Sequence, residues 1–212
     1  MHATVILANG DFPRKNGRSW EILAAAKRVV ACDGAALAFR RRFKRWPDAI
    51  VGDMDSLKGP VPDSVETVKV AEQDTNDLAK AISHCRARGW RDLVIVGATG
   101  RREDHAIGNV FRALDARVPI VSDFGAFHPV VGKASFRCRK GTGVSIFAPD
   151  PETQMTSRGL VWPLASVRFG NLYCATLNRA TSTRFTVTSD RPVSVYVESR
   201  ILDADAGASA GK

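Results

Sequence analysis

The feature that most constrains this chain is an alternation. Through the first 121 residues, short apolar runs take turns with longer amphipathic ones. Val5 to Ala8, Val29 to Cys32, Ala49 to Val51, Leu93 to Val96 and Val118 to Val121 are apolar and rich in β-branched residues. That is the pattern of strands buried on both faces. Between them, Ser19 to Arg28, Ala35 to Arg42, Asn76 to Arg88 and Asp104 to Ala116 read as helices, with Ser19 placed as an N-cap. In the third of these, Leu78, Ala81, Ile82 and Cys85 fall at i, i+3, i+4 and i+7, and Gly89 can stop the helix. Such alternation predicts a parallel sheet covered by helices on both faces. In these sheets, ligands bind beyond the carboxyl ends of the strands.

After Gly125 the pattern changes. Ala134 to Arg139, Val144 to Phe147, Ser166 to Phe169, Arg184 to Thr188 and Val193 to Glu198 are short β-type segments punctuated by Gly, Pro, Asn and Asp. The expected architecture is therefore α/β followed by all-β. Residues 1–125 would form a Rossmann-like α/β/α domain with a parallel sheet, and residues 126–202 an antiparallel β-sandwich. The small, polar tail 203–212 is expected to be disordered.

Composition enters as a filter. The 212 residues are 44% hydrophobic and 25% charged, as in ordinary soluble domains. No apolar run approaches the roughly 20 residues of a membrane span. The N-terminus lacks the basic start and long apolar core of a secretion signal, so a cytoplasmic protein is expected, with no membrane partner. The four cysteines, Cys32, Cys85, Cys138 and Cys174, are far apart and unpaired in spacing, which argues against a zinc site or a disulfide framework. The net charge of +9 fits either attraction of phosphates or simple solubility. The densest basic run, Arg40-Arg41-Arg42-Phe43-Lys44-Arg45, reads as a helix end, where cations complement the dipole. No nucleic-acid motif accompanies it, and no nucleic-acid partner is expected.

Carboxylates carry the chemistry. Asp53 and Asp55 lie two apart just past a strand and point the same way in an extended chain. Asp74 and Asp77 lie three apart at a helix start, and Asp104 begins another helix. Taken singly, each reads as a cap or a turn former. If the sheet brings them together, crowded carboxylates repel unless a hard cation joins them. Mg2+ shared with substrate phosphates is the expected cofactor. A second signal is Gly97-Ala98-Thr99-Gly100-Arg101-Arg102-Glu103-Asp104-His105, a strand running into a glycine-bearing loop and then a helix. Backbone amides there can approach phosphate oxygens, although the loop is neither a Walker A nor a GxGxxG motif.

In order along the chain stand Asn9-Gly10, Cys32-Asp33-Gly34-Ala35, Gly52-Asp53-Met54-Asp55-Ser56, Gln73-Asp74-Thr75-Asn76-Asp77-Leu78 and Gly97 through Arg102, Asp104 and His105. These resemble the NG, DGG-like, GDxDS, QDxTDL and GxxG…RxDH elements of the thiamine pyrophosphokinase family. Gly159-Leu160-Val161-Trp162-Pro163-Leu164 is similar to its GLKWxL, and Gly170 through Asn178 to its GxxSxxN stretch. The resemblance spans about residues 5 to 200. Three positions depart from it: Asn76 replaces a Thr, Arg101 replaces a Gly, and the Ser expected near Tyr173 to Thr176 is not obvious.

The resemblance implies transfer of pyrophosphate from ATP to the thiamine hydroxyl, giving thiamine diphosphate and AMP. The α/β half would bind ATP through Asn9, Asp33, Gly34, Gly97, Thr99, Gly100, Arg102 and His105. Asp53, Asp55, Asp74 and Asp77 would hold Mg2+. Asp77, Arg102 and Asp104 are the catalytic candidates: Asp77 as acceptor of the hydroxyl proton, Arg102 as a charge stabiliser, and Asp104 on either the metal or the sugar. Gln73, Trp162 and Asn178 would contact thiamine, with Trp162 on its ring. The resemblance also implies a homodimer with active sites between halves of different chains. Alternatives are a related pyrophosphokinase acting on another hydroxymethyl heterocycle such as a pterin, a phosphatase of the haloacid-dehalogenase type, and a nucleotide- or RNA-binding module. The phosphatase family places its DxD after the first strand, whereas this pair follows the third. The binding module leaves the carboxylates unexplained.

Overall fold

The computed structural model describes residues 4–57, 59–70, 74–165 and 167–199. The expected tail and Gln73 lie outside the described residues.

The first half forms around six strands: β1 (Thr4–Leu7), β2 (Arg28–Cys32), β3 (Ala49–Gly52), β4 (Glu66–Lys69), β5 (Leu93–Val96) and β6 (Ile120–Val121). All pair in parallel, in the order β6-β5-β1-β2-β3-β4. The connecting helices are α1 (Arg18–Ala24), α2 (Ala35–Phe43), α3 (Asp77–Ala87) and α4 (Glu103–Asp115). Alternate residues of the strands enter two separate cores. Ile6, Val30, Val51 and Ile95 pack with Leu78, Ile82 and Val110 of α3 and α4. Val5, Leu7, Ile50 and Val94 pack with Leu23, Ala36 and Phe39 of α1 and α2. The inner strands β1, β2, β3 and β5 are apolar along most of their length because each face has its own helical cover.

Several sequence expectations shift by a few residues. α1 ends at Ala24, and Arg28 already belongs to β2. Gly17, not Ser19, is the N-cap of α1. Ser19 is buried, and its hydroxyl donates instead to the Asp123 carboxylate. β4 carried no sequence signal: Glu66-Thr-Val-Lys69 is half exposed at the sheet edge, so it lacks the apolar run of its neighbours. The basic run at the end of α2 lies against aromatic rings of its own chain. The Arg40, Arg42 and Arg45 guanidiniums stand 4.6, 4.3 and 4.9 Å from the ring centres of Trp46, Phe12 and Phe39.

The second half continues the same sheet with antiparallel strands: β7 (Gly125–Arg137), β8 (Gly143–Phe147), β9 (Met155–Arg158), β10 (Ala175–Arg179) and β11 (Arg184–Glu198). The start of β7 pairs with β6, and β7 runs along nearly the whole of β11. β11 then pairs with β8 near one end and with β9 near the other. The fold is thus a mixed sheet with four helices among the described residues and antiparallel strands at its C-terminal end. Two of the expected short strands, Arg184 to Thr188 and Val193 to Glu198, are one long strand with an irregular register between Ser189 and Val193. Val167 to Phe169 lie in no strand, and Ser166 is outside the described residues. Phe169 is nonetheless fully buried in the third core, with Phe185, Val187, Val193, Val195 and Ile146. Its apolar character came from that burial rather than from sheet pairing.

Candidate active site

The chain leaves β1 to make β2, β3 and β4 on one side, then crosses to make β5 on the other. That reversal opens a crevice beyond the carboxyl ends of β1 and β5. Gly10 closes the loops around it. Its N–H donates to the Gly97 carbonyl at 2.7 Å, and that of Asp11 to the Thr99 carbonyl at 2.8 Å. A Cβ on Gly10 would sit 2.5 Å from the Thr99 oxygen, so only glycine permits this approach.

The resulting cleft has a volume of about 550 Å³. Asn9, Asp33, Asp53, Asp55, Asp77, Gly100, Arg102 and His105 from the sequence set all line it, so elements far apart in sequence converge there. Asp33 follows β2 in the left-handed region, at φ 36°, and is 3% exposed. Its Oδ2 accepts from the Ser56 N–H at 3.1 Å, while its buried Oδ1 has no hydrogen-bond partner among the described residues. Asp53 Oδ1 accepts from the Asp55 N–H at 3.1 Å, a local turn that follows Gly52.

Asp77 opens α3, behind Asn76, whose side chain accepts from the Ala79 N–H at 3.0 Å. Burial is the main cause holding the Asp77 carboxyl above its ordinary range; the neighbouring Lys80 opposes this, and Asp53 and Asp33 add to it. Burial, with Asp77 beside it, also pushes up the Cys32 thiol. Sequence reasoning passed over Lys80. It is 6% exposed, lines the cleft, donates to the Val70 carbonyl at 3.1 Å and stands 3.7 Å from Asp77 Oδ1. The i,i+3 spacing from Asp77 was the available signal. Asn109 was also passed over. It accepts from Asn76 and donates to the Ala98 carbonyl, which ties α3, α4 and the β5 loop together.

Arg102 and Asp104 form a forked pair on the rim, with Nε to Oδ1 at 3.1 Å and Nη2 to Oδ2 at 2.6 Å. The Arg102 hydrogen bonds hold the Asp104 carboxyl down to about 2. Arg102 lines the cleft and Asp104 does not; Asp74 is exposed and also stands off the lining. Gly34 backs the site, where an added Cβ would meet the Asn9 and Ser56 side chains at 3.2 Å. Gly97 and Thr99 line a second cavity of about 410 Å³, together with Phe12, Arg14, Arg41, Arg42 and Phe124.

Among the described residues, no group of three or more His, Cys, Asp or Glu side chains is arranged to hold a metal ion. The donor chemistry nevertheless fits a hard cation. The Asp77 carboxyl feels the charges of Asp53 and Asp33, and a buried oxygen of Asp33 lacks a hydrogen-bond partner among the described residues.

Trp162 and Asn178 meet each other, but neither lines this cleft. Asn178 is 3% exposed; its Oδ1 accepts from the N–H groups of Trp162 and Arg179, and its Nδ2 donates to the Trp162 carbonyl at 2.7 Å. The amide thus clamps the 162 backbone, while Trp162 as a whole remains 58% exposed.

Comparison with known proteins places the chain among relatives. A family model described as thiamin pyrophosphokinase, catalytic domain, matches residues 20–121. A second, thiamin pyrophosphokinase, substrate-binding domain, matches residues 125–196. Thiamine pyrophosphokinase 1 of Arabidopsis thaliana is 31% identical, over 89% of this chain and 83% of its own length. Thiamin pyrophosphokinase 1 of Caenorhabditis elegans is 28% identical over 55% of this chain and 53% of its own. Among solved structures, a thiamin pyrophosphokinase family protein of Enterococcus faecalis aligns at a TM-score of 0.74 and 17% identity, covering 93% of this chain and 98% of that one. Thiamin pyrophosphokinase of Candida albicans aligns at 0.73 and 16%, covering 93% and 89%.

Proposed function

The chain belongs to the thiamine pyrophosphokinase family, and from that premise we propose that the cleft beyond β1 and β5 transfers a pyrophosphoryl group from ATP to the thiamine hydroxyl. The hydroxyl oxygen attacks the β-phosphorus, the bond from that phosphorus to the oxygen bridging the α-phosphate breaks, and AMP leaves with that oxygen. The observation that carries the reading is the convergence of Asp33, Asp53, Asp55 and Asp77 with Arg102 in one cleft.

Positioning and charge neutralisation supply most of the catalysis in such transfers. Asp53, Asp55 and Asp77, with Asp33 behind them, would hold Mg2+; Asp74 stands apart and would join only through loop movement. When bound, the ion supplies charge neutralisation on the phosphate oxygens. Asp77 takes up the hydroxyl proton. Arg102 steadies charge on the phosphates from the rim, and Asp104 holds the Arg102 fork in place. Asn9, Asp33, Gly34, Gly97, Thr99, Gly100 and His105 complete the ATP side.

On the thiamine side, Trp162 offers an exposed indole face, and Asn178 fixes its backbone. Both stand away from the cleft of their own chain, which supports a homodimer whose sites combine the two halves of different chains. Exposed Val161, Tyr173 and Leu177, 47, 65 and 82% accessible, are suited to such a contact. We read residues 1–125 as a Rossmann-like ATP-binding domain and 126–202 as a β-sandwich for thiamine. The two family models support this division by meeting between residues 121 and 125. No helix among the described residues is long and apolar enough to cross a membrane; a cytoplasmic location fits the reading.

The test is AMP release from ATP and Mg2+, with and without thiamine, followed by mass analysis. Thiamine-dependent AMP together with thiamine diphosphate is expected. ADP as the nucleotide product, or AMP release only with another alcohol such as a hydroxymethylpterin, would overturn the assignment.

A further inference from the structure

We propose that Arg101 binds the phosphate chain of the nucleotide from the strip of backbone dividing the two cavities. The inference rests on the reading that the cleft takes ATP. Its first support is position. Gly100 and Arg101 line both the carboxylate cleft and the neighbouring cavity, where Arg14, Arg41 and Arg42 stand with Asp11 and Asp123, so a polyphosphate lying across that boundary meets the Arg101 guanidinium.

The second support is the backbone. Arg101 has φ 56°, directly after Gly100 at 77°. A side chain with a Cβ is unfavourable there, whereas glycine is at ease. Strained residues of this kind are often kept where a site demands them; Asp33 in the same cleft and Met54 beside it are also left-handed, as are Asn16, Lys44, Arg117 and Leu177 elsewhere.

The third support is where the guanidinium points. Its Nη1 donates to the Asn9 carbonyl at 3.3 Å and to Asn9 Oδ1 at 3.1 Å. Asp33, Asp53, Asp55 and Asp77 line the same cleft, yet among the described residues these hydrogen bonds go to two neutral oxygens. Phosphate oxygens are stronger partners than neutral ones and match the fork of an arginine. Exchanging Asn9 for phosphate is therefore favourable and needs little movement of the backbone.

The test is titration calorimetry of ATP with Mg2+ on the parent protein, Arg101→Gly and Arg101→Asn, alongside competition by adenosine, which lacks phosphate. Both substitutions suit a left-handed residue, so the melting temperature is expected to hold or rise. ATP affinity is expected to fall about tenfold or more, the range of a charged hydrogen bond. Adenosine competition stays unchanged, and Arg101→Lys recovers part of the loss. Variants within about twofold of the parent for ATP overturn the inference, since a charged contact is worth more than that. So does a parallel loss for ATP and adenosine, which would mean that Arg101 only shapes the loop. A parent protein that binds no ATP overturns the inference together with its premise.

Discussion

Gly52 ends β3 beneath the carboxylates, and replacing it with alanine tests how the site is held. Its φ is not in the left-handed region, so alanine meets no backbone penalty there. The obstacle is space. A Cβ would lie 2.9 Å from the Asp33 Cβ and 3.4 Å from Cγ and Oδ1 of Asp77. Carbon atoms rest at about 3.5–4.0 Å, so Asp33 must yield by roughly 0.6–1.1 Å. It cannot yield freely, because its N–H is bonded to the Val51 carbonyl at 3.0 Å and its Oδ2 to the Ser56 N–H. Overpacking of this kind costs about 1–3 kcal/mol. For a chain of this length that lowers the melting temperature by about 2–12 °C. Displacing the Asp33 carboxylate by about an ångström, against Asp77 already in contact, should cost activity about 100-fold. The assays are a thermal melt and thiamine-dependent AMP release well below the lower melting point. Gly108→Ala is the control: it lies in α4 with nothing within 4 Å of an added Cβ, and should gain about 1 kcal/mol without loss of turnover. Near-parental turnover by Gly52→Ala would refute the claim that Asp33 and Asp77 must sit this close together.

Asp77→Asn should lower turnover by at least about 100-fold. Its raised carboxyl value means that its contribution to stability is full below about 3.8 and is lost as pH rises through the folded-state value. At pH 7 the variant should therefore melt no lower than the parent, and a clear fall in melting temperature there would count against the buried-charge account. Asn178→Ala should lose about 1–3 kcal/mol in a urea melt, because it frees buried backbone groups at Trp162. Trp162→Ala should leave the melt within about 0.5 kcal/mol but raise the thiamine KM, and an unchanged KM would remove the indole from the thiamine site. Burial, and after it Arg18, holds the His128 imidazole down to about 4 from its ordinary 6.5. Its contribution is present above about 6.5 and lost as pH falls through about 4; His128→Phe should flatten that part of the stability profile, as read by melts at stepped pH.

The family, the reaction class and the mixed α/β character were legible in the sequence because each depends on local signals. Strands covered on both faces must be apolar throughout, so β1, β2, β3 and β5 announce themselves. Motifs such as Gly52-Asp53-Met54-Asp55 and Gly97 to His105 are short because turns and phosphate loops are built from consecutive backbone groups. Edge strand β4 was not legible, since half-exposed residues at a sheet edge have no reason to be apolar.

The chain by itself supplied the candidates for the chemistry: the carboxylates, the glycine loop, the arginines and an indole. Only the tertiary structure decided which of them meet. Asp33, Asp53 and Asp77 come from three different connections and converge because parallel strands deliver all their carboxyl ends to one edge. Asp74 and Asp104, equally prominent in the motifs, stand off the cleft lining. Lys80 enters the cleft because the face of α3 that buries Leu78 and Ala81 also carries its ammonium group beside Asp77. A motif fixes residue type and spacing along the chain. Distance across the crevice is fixed by strand order and helix packing, which no local stretch of sequence contains.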